Sequence, residues 1–189
     1  MQIPSQHALR VFKAHAGMLR TVEASRAGIH PRTLYALHDR GEIERIARGL
    51  FRLKRAAPLA EPDLVIIAKR VPRAVFCLLT ALAFHRLTTH VPHAVAIALP
   101  HTARTPRLAH PPLEVFRFSP ASLHAGVEQP NAVDGTPIRV YSAEKSLADV
   151  FKYRHKLGID VAVEALRTYS QRRKHDWLQV LEYARVCRV

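Results

Sequence analysis

Apolar residues recur at helical spacing in two short segments near the N-terminus, and the pattern changes to alternation directly afterwards. The first segment is Thr21–Ala27, and the second is His30–Arg40, in which Leu34 and Leu37 lie three residues apart on one helical face. From Glu44 to Leu53, basic and apolar residues alternate, which is typical of a β-hairpin with one buried face. The pattern predicts two helices around a tight turn, followed by a two-stranded ribbon.

The residues at the ends of these segments fit that interpretation. We expect Thr21 to cap the first helix and Gly28 to end it in a left-handed conformation. Pro31 suits the first position of a helix, where its missing amide hydrogen costs nothing. Gly41 closes the second helix, and Gly49 lies at the tip of the ribbon. The segment is therefore predicted to be a winged helix-turn-helix.

The second helix of such a motif can enter the major groove of DNA with its N-terminal residues against base edges. Arg32 and Thr33 are the best candidates for base contacts, because arginine can donate two bonds to guanine and threonine can meet several edges. Arg48 at the ribbon tip is a candidate for a phosphate or minor-groove contact. The full predicted DNA-binding surface comprises Arg20, His30, Arg32, Thr33, Tyr35, Ala36, Arg40, Arg45, Arg48 and Arg52.

The charge of the chain favours a nucleic-acid partner over a protein-interaction module. The 189 residues include 29 Lys and Arg against 15 Asp and Glu, a formal net charge of +14. Residues 1–60 hold 11 basic and 4 acidic residues, a net charge of +7, so half of the surplus lies in under a third of the chain. Attraction of this kind to a polyanion supplies most sequence-independent affinity for DNA.

The rest of the chain is predicted to be a second, mixed α/β domain that ends in helices. We place the boundary in the proline- and alanine-rich stretch 54–62, which gives a DNA-binding domain over residues 1–55 and a second domain over residues 62–189. The predicted strands are Ala94–Leu99, Leu113–Phe118, and a hairpin that joins Ala132–Val133 to Ile138–Tyr141 through an Asp-Gly turn. The overall fold class is therefore α+β.

Helices are predicted on both sides of these strands. Two precede them, one at Pro62–Arg70 and one that contains Thr80–Arg86 and includes the mostly apolar run Ala74–Phe84. Three follow, and we expect Ser142, Asp160 and Asp176 to cap them. The basic run Arg172-Arg173-Lys174 falls in the last loop, as either a solvated turn or a second patch for phosphates.

Neither the cysteines nor the histidines predict a metal or cofactor site. Cys77 and Cys187 are too few for a disulfide framework, and we expect packed, reduced thiols. His85, His90 and His93 lie close in sequence, but no cysteine joins them in the four-ligand spacing that a zinc site requires. We therefore expect no metal and no cofactor.

Catalysis is also not expected, although one segment carries acid and base groups. Glu144, Lys145 and Asp149, with Asp134 upstream, raise the possibility of a metal-dependent nuclease or transferase. Glu144 is better explained as a charge at a helix start, and Lys145 with Asp149 as an ordinary i, i+4 surface pair. The sequence has no glycine-rich phosphate loop, GxSxG elbow or HExxH motif.

The expected location is the cytoplasm, because no apolar run reaches the ~20 residues needed to span a bilayer and residues 1–10 lack a secretory signal.

Five segments together resemble one family. They are Gly28–Leu34, Arg48–Phe51, Thr80–Leu82, Val140–Asp149 and Phe151–Ala162, and their order along the chain resembles that of the AbiEi antitoxins. The wing motif alone is common, so the combination with the Glu-Lys-Ser-Leu-Ala-Asp segment carries the specificity.

The resemblance implies a bacterial type IV toxin–antitoxin component. Members of the family have a winged-helix domain that represses the promoter of their own operon, and a C-terminal domain that counters a nucleotidyltransferase-type toxin without a stable complex. A symmetric operator would further imply a homodimer on double-stranded DNA at an inverted repeat. A non-specific nucleic-acid binder and a nucleic-acid-modifying enzyme remain the alternatives.

Overall fold

The computed structural model describes residues 4–130 and 135–189. The chain is mixed α/β, with helices and two sheets, and divides into two compact units. The first unit contains the described residues up to Pro72 together with residues 135–137, and the second contains the described residues from 73 to 130 and from 138 to 189.

The first unit begins with a short helix and then follows the predicted order of helix, helix and ribbon. Its elements are α1 (Pro4–Ala14), β1 (Met18–Arg20), α2 (Thr21–Arg26), α3 (Pro31–Asp39), β2 (Ile43–Ala47), β3 (Leu50–Leu53) and α4 (Pro62–Arg70). The three strands form an antiparallel sheet in the order β1-β3-β2, with Leu19 opposite Phe51. The apolar faces of α1, α2 and α3 pack on this sheet through buried side chains that include Phe12, Leu34 and Leu37.

The helix α4 belongs to the first unit, although the sequence pattern placed it in the second domain. Val65 and Ile66 pack with Met18 and Leu50 in a separate apolar cluster. Burial of these side chains stabilises the contact by roughly 1.5–3 kcal/mol for each large residue. The compact units consequently divide after Pro72 and not within the 54–62 stretch.

The second unit is built on a five-stranded sheet. Its elements are β4 (Val75–Phe76), α5 (Leu78–Phe84), β5 (Val95–Pro100), β6 (Leu113–Phe118), α6 (Pro120–His124), β7 (Val127–Glu128), β8 (Val140–Tyr141), α7 (Ala143–Lys152), α8 (Arg154–Leu157), α9 (Ile159–Ser170) and α10 (Trp177–Cys187). The strand order is β6-β5-β4-β8-β7. The pairs β5–β6 and β4–β8 are parallel, and the other two are antiparallel. Buried side chains of the sheet, α5, α7 and α9 form one core.

Three predicted features of this unit differ in the structure. The apolar run Ala74–Phe84 is not one helix, because Val75–Phe76 pairs with β5 and β8 as strand β4 and α5 begins only at Leu78. Strand β8 pairs with Val127–Glu128, whereas the predicted partner Ala132–Val133 lies outside the described residues. Asp160 does not cap α9, because Gly158 precedes that helix with φ of +98° and Asp160 lies in its first turn. The predicted caps of α7 and α10 are confirmed, since Ser142 accepts from the Lys145 amide and Asp176 from the Gln179 amide. None of the helices in the described part of the chain is both long and apolar enough to cross a membrane.

Candidate nucleic-acid interface

The turn between α2 and α3 is fixed by local signals in the sequence. Gly28 has φ of +77°, and Ile29 is buried directly after it. The amides of Gly28 and Ile29 donate to the carbonyls of Ser25 and Ala24, which closes the end of α2. The turn thus sets α3 at a defined angle to α2.

The start of α2 differs from the prediction. Thr21 is the first helical residue and not the cap, because the preceding Arg20 has an extended backbone. The Arg20 amide donates to a carboxylate oxygen of Glu23 at 2.8 Å, so the Glu23 side chain provides a hydrogen-bond acceptor for the backbone N–H that precedes the helix. The Thr21 amide donates to the carbonyl of Gly49 at 2.9 Å, which ties α2 to the turn of the β2–β3 ribbon.

Helix α3 buries one face and exposes the other. His30 precedes it and accepts a hydrogen bond from the Arg32 amide through Nδ1 at 3.2 Å. Arg32 is exposed on the first turn, and Tyr35 is 59% exposed one turn later. Thr33 and Ala36, which belong to the predicted DNA-binding surface, are half-buried. The outer face of α3 therefore presents a cation and an aromatic side chain.

The ribbon exposes two arginines near its turn. Arg45 lies next to an irregularity in the β2–β3 register, between Arg45 and Ala47, and Arg48 lies in the turn itself. Gly49 supplies the positive φ of +69° that the turn requires. Neither arginine forms an ion pair within the part of the chain that the structure describes, so both charges are available to a ligand.

Arg52 does not belong to this surface, contrary to the prediction. Its side chain is 10% exposed, pairs with Glu44 at 3.3 Å, and donates to the carbonyl of Ala57. The alternating pattern assigned it to an outward face, but β3 is the central strand and residues beyond the ribbon cover this position. Arg52 consequently stabilises the unit.

The remaining predicted cations occupy intermediate situations. Arg40 is exposed, but it pairs with Glu42 at 2.7 Å and donates to the Ser5 hydroxyl at 2.9 Å. Arg20 is half-buried beside the start of α2. The acids Glu23, Glu42 and Glu44 are thus all engaged by groups of their own unit, which leaves the positive charge of Arg32, Arg45 and Arg48 uncompensated.

One residue near the ribbon escaped the sequence analysis. Arg70, in the last turn of α4, donates from Nη1 to the carbonyl of Arg48. A Cβ built on Gly49 would lie 3.7 Å from the same Nη1, so the guanidinium lies directly against the ribbon turn. In the sequence, Arg70 is marked only as a basic residue at a predicted helix end, and the sequence pattern places that helix in the second domain.

A second cluster of charged groups lies in the second unit. The Lys145 Nζ donates to the two Asp149 carboxylate oxygens at 2.5 and 2.6 Å, with 0% and 1% of the two side chains exposed. This pair is buried and not on the surface as the spacing suggested, because α10 covers α7 and the Cys187 thiol also donates to Asp149 at 3.2 Å. Burial raises the pKa of Asp149, and the Lys145 charge opposes that shift.

The same cluster borders a cavity of about 200 Å³ lined by His101, Arg117, Phe118, Ser119, Ser122, Asp149, Lys152 and Tyr153. The Asp149 carboxylate reaches the cavity with its oxygens already bonded to Lys145 and Cys187, so it is not poised as a general base. Glu144 accepts from the Tyr169 hydroxyl at 2.6 Å, while Asp134 lies outside the described residues.

The two cysteines are buried, and two of the three clustered histidines contact other groups of the protein. Cys77 and Cys187 are both buried free thiols, as expected, and burial raises the pKa of each. His85 contacts the carbonyl of Tyr141 at 2.7 Å, and His90 contacts Glu164 at 3.1 Å. No group of three or more metal-ligating side chains occurs among residues 4–130 and 135–189.

A known protein family matches most of the first unit. Residues 7–54, from α1 to β3, match the family model described as "Transcriptional regulator, AbiEi antitoxin". The resemblance to that family is confirmed for this part of the chain. No curated protein sequence matches the chain significantly.

The fold also resembles a solved structure. The crystal structure of the RV2827C protein from Mycobacterium tuberculosis aligns with a TM-score of 0.54, covering 96% of this chain and 77% of that chain. The two sequences are 14% identical, so this similarity concerns the fold alone.

Proposed function

We propose that this chain binds double-stranded DNA in a sequence-specific manner through a winged helix-turn-helix in its first unit. In this proposal α3 is the recognition helix, and the β2–β3 ribbon is the wing. Arg32 contacts base edges, while Arg45 and Arg48 contact phosphates or the minor groove. His30, Thr33, Tyr35 and Ala36 line the same surface, and Arg20 and Arg40 flank it.

One observation carries the proposal. The first turn of α3 exposes Arg32 while Leu34 and Leu37 on the opposite face are buried, and the ribbon that follows exposes Arg45 and Arg48. These three side chains have no anionic partner in the described structure, whereas nearby acids are engaged internally. Exposed, uncompensated cations on α3 and on the ribbon that follows it suit a phosphate backbone, with Arg32 proposed to reach the bases.

The family match supports a role as a regulator, and the role proposed here is more specific. We propose an autorepressor and antitoxin of a bacterial type IV toxin–antitoxin operon, whose toxin is a nucleotidyltransferase. The second unit would serve the antitoxin role, and direct contact with the toxin is not required. Such a regulator would act in the cytoplasm, bind an inverted repeat as a homodimer, and have no catalytic activity or cofactor of its own.

Binding to defined duplexes tests the proposal. Fluorescence anisotropy would compare a duplex from upstream of the gene with a scrambled duplex of equal length and composition, at several salt concentrations. We expect the upstream duplex to bind at least ~10³-fold more tightly, which is the lower range for specific recognition. Equal affinity for both duplexes would leave a non-specific binder, and preference for single-stranded RNA would point to a different class of reader.

A further inference from the structure

Helix α10 is amphipathic in an unusual way, because its solvent-facing side is mainly apolar. Its inner side faces α7: Cys187 is fully buried, and Val180 packs against the main core of the second unit. The Lys152 Nζ donates to the Cys187 carbonyl at 2.6 Å and fixes the end of the helix. The orientation of α10 is therefore set, and its outer side is a defined surface.

The outer side carries a concentrated group of exposed apolar residues. Leu178 is 76% exposed and Leu181 is 56% exposed. Half of the large apolar side chains exposed within the described structure lie on α10 or directly after its end, namely Trp177, Leu178, Leu181, Val186 and Val189. Single exposed apolar residues need no explanation, but a contiguous patch marks an interaction surface.

Two opposite charges lie within the patch. Glu182 and Arg185 are both exposed and lie three residues apart, so they occupy the same side of the helix. Glu182 accepts from Gln179 Nε2 at 2.9 Å along its own helix, and the Arg185 side chain has no hydrogen-bond or ion-pair partner in the described part of the chain. We define the α10 face as Trp177, Leu178, Leu181, Glu182, Arg185, Val186 and Val189.

The α10 face is complementary to itself. When two copies of α10 pack antiparallel about a two-fold axis, a contact between Glu182 and Arg185 of the second copy is repeated by the reciprocal contact between Arg185 and Glu182. Each of the two charges then meets its opposite. Leu178 lies one turn before Glu182 and Leu181 one turn before Arg185, so apolar side chains border both charge pairs.

We propose that the α10 face is the dimer interface of this protein and that its occupant is a second copy of the same chain. The charge order argues for this occupant, because the one acid and the one base of the face pair only in the antiparallel, self-complementary arrangement. The inference deepens the proposed function, since it supplies the surface by which two copies pair on a symmetric operator. The pairing itself does not require DNA.

Charge reversal tests the interface directly. Analytical ultracentrifugation of the full chain should show a dimer with a dissociation constant below about 0.1 mM. Glu182→Arg and Arg185→Glu should each raise that constant at least about tenfold, because each places two pairs of like charges across the two-fold axis. Val91→Arg, at an 81% exposed position outside the face, is the matched control and should leave the constant unchanged.

Mixing the two single variants gives the decisive result. A Glu182→Arg chain and an Arg185→Glu chain are complementary to each other, so an equimolar mixture should form heterodimers where neither variant dimerises alone. The double variant, with both charges exchanged, should also dimerise. The inference would be overturned by a wild-type chain that stays monomeric, by variants that dimerise like wild type, or by a mixture that stays monomeric. A wild-type monomer includes the case in which a different protein covers this face.

The test separates this inference from the proposed function. Circular dichroism first confirms that each variant is folded. A monomeric wild-type protein that still binds its upstream duplex specifically would refute the α10 interface and leave DNA recognition intact. A dimer that responds to charge reversal but binds no DNA would refute DNA recognition and leave the interface intact.

Discussion

The Nζ atom of Lys145 lies between the two carboxylate oxygens of Asp149, at 2.5 and 2.6 Å, and both side chains are excluded from solvent. The Lys145 Nζ also donates to the Ser122 hydroxyl at 3.3 Å and lies 4.4 Å from the centre of the Tyr141 ring. A buried charge pair with these contacts is costly to break, because removal of one partner strands the other charge away from water.

Lys145→Met should therefore destabilise the protein by about 3–5 kcal/mol. Urea unfolding followed by circular dichroism measures this loss. Lys156→Met is the matched control, because Lys156 pairs with Glu114 at 2.6 Å with both side chains about half exposed, and exposed pairs contribute at most about 1 kcal/mol. Similar losses in the two variants would contradict a structural role for the buried pair.

The packing around Lys145 also predicts the effect of adding a single methyl group nearby. Gly126 and Gly28 both have positive φ, of +65° and +77°, so alanine at either site costs roughly 1–2 kcal/mol in backbone strain. A Cβ on Gly126 would lie 2.7 Å from the Cβ of Lys145, whereas nothing lies within 4 Å of a Cβ on Gly28. Gly126→Ala should thus lower the free energy of unfolding clearly more than Gly28→Ala. Equal losses would show that the side chains around Lys145 can shift to accommodate the added methyl group.

Glu164 predicts a specific dependence of stability on pH. Its carboxylate accepts from the Thr89 hydroxyl, the Thr88 hydroxyl and the Thr89 amide, and these bonds lower its pKa from 4.5 to about 2. Because the pKa is lower in the folded than in the unfolded chain, this contribution is complete above about pH 4.5 and is lost as the pH falls toward 2.

Glu164→Gln should consequently reduce stability near neutral pH and flatten the decline in unfolding free energy between about pH 5 and pH 2. Urea unfolding at a series of pH values measures that slope. Thr89→Val, which removes one hydroxyl donor, should show the same change in weaker form. A slope identical to wild type in the Gln variant would exclude Glu164 as its source.

The sequence was sufficient to predict the elements whose structure depends on neighbouring residues along the chain. The glycine and proline around the α2–α3 turn act within a few residues, and the predicted helices and ribbon at 21–53 match the observed ones closely. The alternation of Leu113–Phe118 likewise predicted β6 with its observed bounds.

The sequence was not sufficient to predict the burial of residues that are covered by segments distant along the chain. Arg52 alternates like a surface residue, but the segment containing Ala57 covers it. Lys145 and Asp149 have the spacing of a surface pair, but α10 covers them through Cys187, which is 38 positions after Asp149. The position of α4 was missed for the same reason, since only its contacts with Met18 and Leu50 reveal its unit.

The base contact proposed for Arg32, which α3 exposes, is the central prediction for DNA recognition. Its most direct test is the affinity of wild type and Arg32→Ala for the upstream duplex and for a set of duplexes with single base-pair changes. Arg104→Ala, an exposed arginine in a loop of the second unit, serves as the control. We predict that Arg32→Ala loses about 1–3 kcal/mol of binding free energy and stops discriminating at one base position. A loss no greater than that of Arg104→Ala, or discrimination unchanged at every position, would contradict the account.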